Sequence, residues 1–443
     1  MIDTIPESKI ETWPVNAIKP NPRNARTHSK AQTKAIADSI RAYGFTNPLI
    51  IDEQGMILAG HGRLTAAKLL KLETVPAIKI SHLSDAEKRA YVLADNALAA
   101  RSGWDRDMLA AELGALSVLL PENGLSVELT GFEVPVIDSI LCDVEEEKAN
   151  RPDDEVVAPP SQPVSKPGDL WILGRHRLLC ADARDKGNLT TLLGEEQADM
   201  VFTDPPYNVP IDGHVLGHGR VSHPDFAMAS GEMTDGQFID FLKEVLTSAA
   251  GVSRDGALHY VAMDWRHISH LIEAGKSVYS EMKNLCVWSK TNAGQGSLYR
   301  SAHELIAVFK VGNAEHMNNV QLGKFGRNRS NVWTYPGISS FGTDRDEELK
   351  SHPTVKPVAL VADAIKDVTK RGAVILDVFG GSGTTLIAAE RTGRKARLLE
   401  IEPRYADVTI ARYEKIAKQD AVLERTGETF AEAANALLQA KAA

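Results

Sequence analysis

The sequence predicts an α/β protein built on a mainly parallel sheet, preceded by a smaller α+β domain. Three observations carry that prediction. From Gly168 to about Glu424, short β-rich apolar runs alternate with helical patterns, as they do when crossover helices join parallel strands. Residues 10–100 repeat the alternation on a smaller scale. Between the two blocks lies a stretch, 143–167, with too many acids and prolines to bury a core. At 443 residues the chain needs more than one domain, and 43% hydrophobic with 25% charged residues is ordinary for globular proteins.

Residues 14–80 read as a strand, a helix and a short β-rich core ending in MILAGHGRLTAAKLLKL. There Gly60-His61-Gly62-Arg63 opens a helix after an apolar strand, so its free N–H groups and Arg63 can hold a phosphate. The alternative for His61 is to stabilise the turn. Residues 101–142 read as a helical extension, 143–167 as an acidic linker, 168–425 as the main domain and 426–443 as a helical tail.

In the main domain the expected strands are ADMVFTD (198–204), ALHYVAMD (257–264), NLCVWSK (284–290), ELIAVFK (304–310), AVILDVF (373–379) and ARLLEIE (396–402). The first ends directly in Asp204-Pro205-Pro206-Tyr207. Two prolines fix the backbone and remove two donors. A carboxylate, a held carbonyl and an aromatic face then form a receptor for a planar ring bearing an NH2 group. Asp204 and the Pro205 carbonyl accept the amine hydrogens, which localises the nitrogen lone pair, and Tyr207 stacks on the ring. A plain Pro-rich turn explains neither Asp204 nor Tyr207.

The run AVILDVFGGSGTTLIAAERTG (373–393) reads as a buried strand, a Gly-rich turn and a helix whose N-terminus faces an anionic ligand. Glu400 ends the next strand, 17 residues past Gly383, where a carboxylate can accept both ribose hydroxyls. The ligand expected is therefore a nucleoside with an anionic group; a tight structural turn is the alternative. A phosphate-cradling loop needs Lys after the last Gly, where Thr384 and Thr385 stand, and a dinucleotide fingerprint needs a third Gly where Leu386 stands.

On these residues the main domain resembles the amino-methyltransferases that act on adenine N6 or cytosine N4 in DNA. The Asp-Pro-Pro-Tyr motif precedes the cofactor motif, 173 residues separating Asp204 from Asp377, as in the circularly permuted β class. The resemblance implies a Rossmann-like fold, S-adenosyl-L-methionine as cofactor, and double-stranded DNA as partner with the target base flipped out. It implies catalytic roles for Asp204, Pro205, Pro206 and Tyr207. Cofactor contacts fall to Asp182, Lys356 in HPTVKP, Asp377, Phe379, Gly381, Gly383, Thr384 and Glu400. Asp rather than Ser at position 204 favours adenine over cytosine. Residues 10–100, with VNAIKPNPRNART and GFTNPLII, resemble ParB N-terminal domains, which implies a nucleotide triphosphate at Gly60, His61, Gly62 and Arg63; GHGRLTAA departs from the Arg-rich box of that family, which favours a DNA-docking or assembly role for the domain. A homodimer suits the resemblance. A non-catalytic DNA-binding or partition protein that keeps the fold is the alternative of a different class.

The net charge of −9 argues against nucleic acid until its distribution is considered. Residues 143–157 carry net −5, whereas 283–335 carry net +5. In that basic stretch Arg300, Lys324, Arg327 and Arg329 are interleaved with Phe, Trp and Tyr, a mixture suited to phosphate and base edges, so target recognition is expected at 311–345. Cys142, Cys180 and Cys286 each follow Leu, in no Pro-Cys turn, and read as buried core rather than as the nucleophile that ring-carbon methylation needs. Their spacing excludes a disulfide framework and a zinc site, and points to the cytoplasm. Asp212, His214, His218 and His223 lack the geometry of a metal site. No apolar run approaches the ~18–20 residues of a membrane span.

Overall fold

The computed structural model describes residues 9–99, 103–148, 159–160, 162–209, 231–290, 299–320, 329–336 and 356–442. The chain divides into two compact units, 1–133 and 134–443. Among the described residues no helix is long and apolar enough to cross a membrane.

The first unit holds β1 (Ile10–Pro14), α1 (Lys30–Tyr43), β2 (Leu49–Ile51), β3 (Ile57–Ala59), α2 (His61–Leu69), β4 (Thr74–Lys79), α3 (Asp85–Ala99) and α4 (Arg106–Glu122). The strands form one sheet in the order β1-β4-β2-β3. Ser29 starts α1 by accepting the Gln32 N–H, and Asp105 starts α4 by accepting that of Met108. Leu49, Ile51, Ile57, Val75 and Ala77 of the sheet, with Val15 just after β1, are buried with Leu64 and Ala67 of α2 in one core.

The second unit begins at α5 (Val134–Lys148), followed by β5 (Leu170–Leu173), β6 (His176–Cys180), α6 (Lys186–Leu193), β7 (Ala198–Thr203), α7 (Asp235–Gly251), β8 (Ser253–Met263), α8 (Ile268–Val278), β9 (Glu281–Lys290), β10 (His303–Lys310), β11 (Val332–Tyr335), α9 (Val358–Val368), β12 (Val374–Asp377), α10 (Thr384–Thr392), β13 (Lys395–Glu400), α11 (Pro403–Ala417), β14 (Val422–Leu423) and α12 (Phe430–Ala442). Two boundaries differ from the compositional reading. Helix α5 runs to Lys148, six residues into the expected linker, and it belongs to the larger unit. The reason is a buried ion pair: Arg394 donates to both oxygens of Asp138 at 2.8 and 2.7 Å, with both side chains almost wholly buried. The linker's far end is also held, because Val164 and Ser165 donate their backbone N–H groups to Asp407.

The sheet order is β11-β9-β10-β8-β7-β12-β13-β6-β5-β14. Its centre, β8-β7-β12-β13-β6, is parallel throughout, and β10, β5 and β14 add antiparallel pairs towards its two edges. Side chains alternate between two cores, as a strand buried on both faces requires. Met200 and Phe202 join Leu360, Ile365, Leu386 and Ile410, whereas Val201 joins Leu192, Phe238, Leu242 and Leu271. Helices therefore cover both faces. From β7 the chain proceeds to its neighbour β8, and from β12 it proceeds the other way to β13. The adjacent strands β7 and β12 thus mark the topological switch point, where a crevice opens beyond the strand C-termini. The Asp-Pro-Pro-Tyr motif follows one of these strands and the Gly-rich turn follows the other.

Candidate active site

The two motifs meet through a hydroxyl. Thr203, the last residue of β7, donates to Asp377 at the end of β12 at 2.8 Å, although 174 residues separate them. Asp377 also accepts from the Phe379 N–H at 3.1 Å and the Thr385 hydroxyl at 2.6 Å. The resemblance places this strand-end acid near the methionine of the cofactor. Two hydroxyl donors stand within reach of a buried strand end, so the carboxylate faces inward and joins strand to strand and strand to helix. Burial pushes its pKa up to about 7 against those hydrogen bonds.

Next to Thr203, Asp204 is largely buried and both its oxygens are engaged. Tyr207 donates its hydroxyl to Oδ1 at 2.5 Å, and Lys356 donates its ammonium to Oδ2 at 2.5 Å. Lys356, buried, also pairs with Glu304 at 2.8 Å, and Glu304 takes a second ammonium from Lys290 at 2.5 Å. The resemblance assigns Lys356 to the cofactor half; its ammonium pairs with Asp204 and Glu304, and these two carboxylates compensate its burial. Burial pushes the Asp204 carboxyl up and Glu304 adds to that, with Lys356 opposing both. The same burial bears on Glu304, but its two lysines hold it below the ordinary carboxylate range. Glu304 and Lys290 were not singled out from the sequence, although an acid at the head of ELIAVFK is the signal that marks one of them.

Pro205 is buried and Pro206 partly so. Asn208 holds the left-handed conformation at φ 54°, which Asn tolerates better than most residues. Its side chain donates to Met233 O at 2.8 Å and accepts from the N–H groups of Gly231 and Met233. It thereby ties the turn after β7 to the residues just ahead of α7. Asp212, His214, His218 and His223 lie outside the described residues.

Across the crevice, the Gly-rich turn is held tightly. Gly380 donates to Leu399 O at 2.7 Å, Gly383 to Gly380 O at 2.9 Å, and Gly381 to the Glu400 carboxylate at 2.7 Å. Gly383 starts α10 at φ 81°, with Thr384 buried just inside the helix. Phe379 is partly buried and lies 6.1 Å from the Phe241 ring. Glu400 also accepts from the Glu402 N–H at 2.9 Å. Burial pushes the Glu400 pKa up to about 7. Asp182 follows β6 beside this strand, where Ala181 donates to Glu400 O, and its carboxylate is paired with Arg184 at 2.6 Å.

The basic residues separate. Arg300 is exposed just ahead of β10, and Lys324 and Arg327 lie outside the described residues. Arg329 is partly buried: its guanidinium meets Asp363 at 3.0 Å, Asp367 at 2.7 Å and the Tyr335 hydroxyl at 3.1 Å, over the Trp333 ring. Two acids one turn apart on α9 draw it inward. In the smaller unit Gly60 holds φ 97° at the start of α2, where a Cβ would come within 2.7 Å of Leu49, and Gly62 packs on Ile36 and His28. Arg63 donates to the carbonyls of Asn47 and Pro48 at 2.5 and 2.7 Å and so braces the turn. His61 is half-buried, and burial lowers its pKa.

Cys180 and Cys286 are free and buried, and burial pushes both thiols up to about 12, which leaves no thiolate nucleophile there. The Cys142 side chain lies outside the described residues.

Three family models match the chain: DNA methylase over residues 198–412, ParB N-terminal domain over 1–97, and ParB-methyltransferase HTH domain over 107–167. Among curated relatives, the type II methyltransferase M2.MboI of Moraxella bovis is 24% identical over 229 residues, covering 50% of this chain and 82% of that protein. The ParB-like nuclease domain-containing protein YnaK of Escherichia coli (strain K12) is 47% identical over 81 residues, 18% of this chain and 93% of that one. The solved complex of M1.HpyAVI with S-adenosylmethionine overlaps 53% of this chain and 97% of its own, at 19% identity and a TM-score of 0.40. The chain belongs to the N6/N4 family of S-adenosylmethionine-dependent DNA methylases, in a form that carries a ParB-type N-terminal domain.

Proposed function

We propose that this chain methylates the exocyclic N6 of an adenine flipped out of double-stranded DNA at specific sites, in the manner of the permuted β class. The observation that carries the reading is the placement of Asp204 directly after β7 and of the Gly-rich turn directly after its neighbour β12, with Glu400 at the end of the next strand, β13. S-adenosylmethionine supplies an electrophilic methyl on a sulfonium. The chain's own groups do the rest. Glu400 takes the ribose hydroxyls, with Asp182 on the neighbouring strand end, Phe379 beside the turn, and Gly381, Gly383 and Thr384 bounding the donor end. Asp204 and the Pro205 carbonyl accept the two amine hydrogens, Pro206 fixes that carbonyl, and Tyr207 stacks on the base. This geometry localises the nitrogen lone pair and aims it in line with the methyl. Direct transfer of this kind needs positioning and charge, with no covalent enzyme intermediate.

The same reading gives target recognition to 311–345 through Lys324 and Arg327, with Arg300 at the phosphate backbone, in a cytoplasmic homodimer. In the N-terminal domain the nucleotide triphosphate falls to the backbone of Gly60, His61 and Gly62. The test is methyl transfer from labelled S-adenosylmethionine to unmethylated duplex DNA, followed by nucleoside analysis. N6-methyladenine supports the reading. N4-methylcytosine keeps the chemistry and overturns the base, and tight DNA binding without product overturns catalysis.

A further inference from the structure

The proposed reaction leaves a buried group of charges unexplained. Asp204 needs to be a carboxylate to accept amine hydrogens, yet burial and a second carboxylate, Glu304, both favour its protonation. Lys356 stands between the two acids, 2.5 Å from Asp204 and 2.8 Å from Glu304, and is itself only 4% exposed. Lys290 completes the set from the far side of Glu304 at 2.5 Å. Two acids and two ammonium groups thus form a neutral unit, over the Trp288 ring at 4.6 Å from Lys290 and 5.9 Å from Lys356. The members come from four separate segments: the turn after β7, the ends of β9 and β10, and the residue two before α9. Tyr207 faces both acids, at 2.5 Å from Asp204 and 3.3 Å from Glu304. Asp264 beyond β8 bears on Tyr207, and Asp377 at the end of β12 bears on Asp204.

Resting on the reading above, we infer that Lys356 is the positioning residue that keeps Asp204 ionised and aimed at the base, and that Glu304 sets how much of the ammonium's charge Asp204 receives. Lys356 fixes one oxygen of Asp204 and Tyr207 fixes the other, which determines the plane of the carboxylate. Each oxygen keeps capacity for one further hydrogen, so an amine can be received without breaking the unit. Glu304 holds Lys356 in place and competes for its charge. Removing either partner therefore moves Asp204 in opposite directions: without the ammonium its carboxylate takes a proton more readily, and without the competing anion it takes one less readily. Simple loosening of the site has no such sign.

The experiment is single-turnover methyl transfer to duplex DNA at saturating donor, measured across pH for wild type, K356M, K356R and E304Q. The readout is the rate at about pH 5.5 divided by the rate at about pH 8, since one unit of movement in an acid limb is about tenfold. K356M should lower this ratio by about tenfold or more, and E304Q should raise it. K356R, which keeps the charge with altered reach, should leave the ratio near the wild-type value while lowering the plateau. Movement of K356M and E304Q in the same direction, or of neither, overturns the inference while wild-type methylation upholds the reaction itself. Should K356M fail to fold, an E304Q ratio at or below wild type, or a K356R ratio far from it, overturns it equally. A wild-type protein that makes no methylated base overturns the reaction and this inference together.

Discussion

Replacing Gly383 with alanine tests whether the cofactor turn is held as tightly as its geometry indicates. Two separate costs arise. The residue sits at φ 81°, where a Cβ meets its own backbone, and that conformation costs an L-residue about 1–2 kcal/mol. A Cβ there would also lie 2.7 Å from Thr409 Cγ2 and 2.9 Å from Thr409 Oγ1, an overlap that costs about 1–3 kcal/mol in a packed interior. Neither neighbour yields easily, because Thr409 is buried and donates to Gly381 O at 2.9 Å. The variant should lose about 2–5 kcal/mol in the unfolding transition of residues 134–443, measured by urea titration. The parts separate in a double-mutant cycle. T409A removes the clashing atoms and loses one hydrogen bond, a cost of about 0.5–1.5 kcal/mol by itself. In the double variant the φ term and the lost hydrogen bond remain but the overlap is gone, which appears as a favourable coupling of about 1–3 kcal/mol. Additivity within about 0.5 kcal/mol would refute the steric part, and a G383A cost below about 1 kcal/mol would refute both.

Other predictions follow from the same geometry. Asp204→Asn keeps the side-chain shape but offers an amide, so turnover should fall by about 10²–10³ or more while duplex affinity in a gel-shift assay stays within about threefold; comparable loss of both would remove Asp204 from the chemistry. Glu400, pushed up to about 7, accepts ribose hydroxyls best as a carboxylate. S-adenosylmethionine affinity by calorimetry should therefore weaken as pH falls through about 7, with one proton taken up by the free site, and E400Q should abolish that dependence. The linkage to stability has the opposite sign: an acid whose folded pKa is raised favours the folded, unliganded protein as pH falls from about 7 toward its ordinary range. Arg329→Ala leaves Asp363 and Asp367 without their guanidinium, so the melting temperature should drop. The salt dependence of DNA binding should stay the same, whereas a lost phosphate contact would lower its slope by about one.

Much of this protein was legible in the residues alone. The apolar runs at 198–204, 257–264, 284–290, 304–310, 373–379 and 396–402 are strands because β-rich stretches bounded by turn residues have few other uses. Asp-Pro-Pro-Tyr and the Gly-rich turn were readable because their constraints are short-range: fixed proline torsions, a left-handed glycine and a helix start are written within a few neighbouring residues. Partner choice by long charged side chains is not written that way. Nothing in the sequence around Arg63 and Arg329 announces the backbone carbonyls that the first meets or the two helix acids that the second meets. Asp377 was drawn to two hydroxyls, one of them on a strand 174 residues away. The pairing of Asp204 with Lys356 joins positions 152 residues apart, and Glu304 and Lys290 enter from two further strands. The sequence by itself determined which backbone segments could build a crevice at the end of a parallel sheet. Only the tertiary structure decided which charges share its interior, because a buried charge settles on whichever opposite charge the packed chain brings within reach, and that distance exists only once the sheet has assembled.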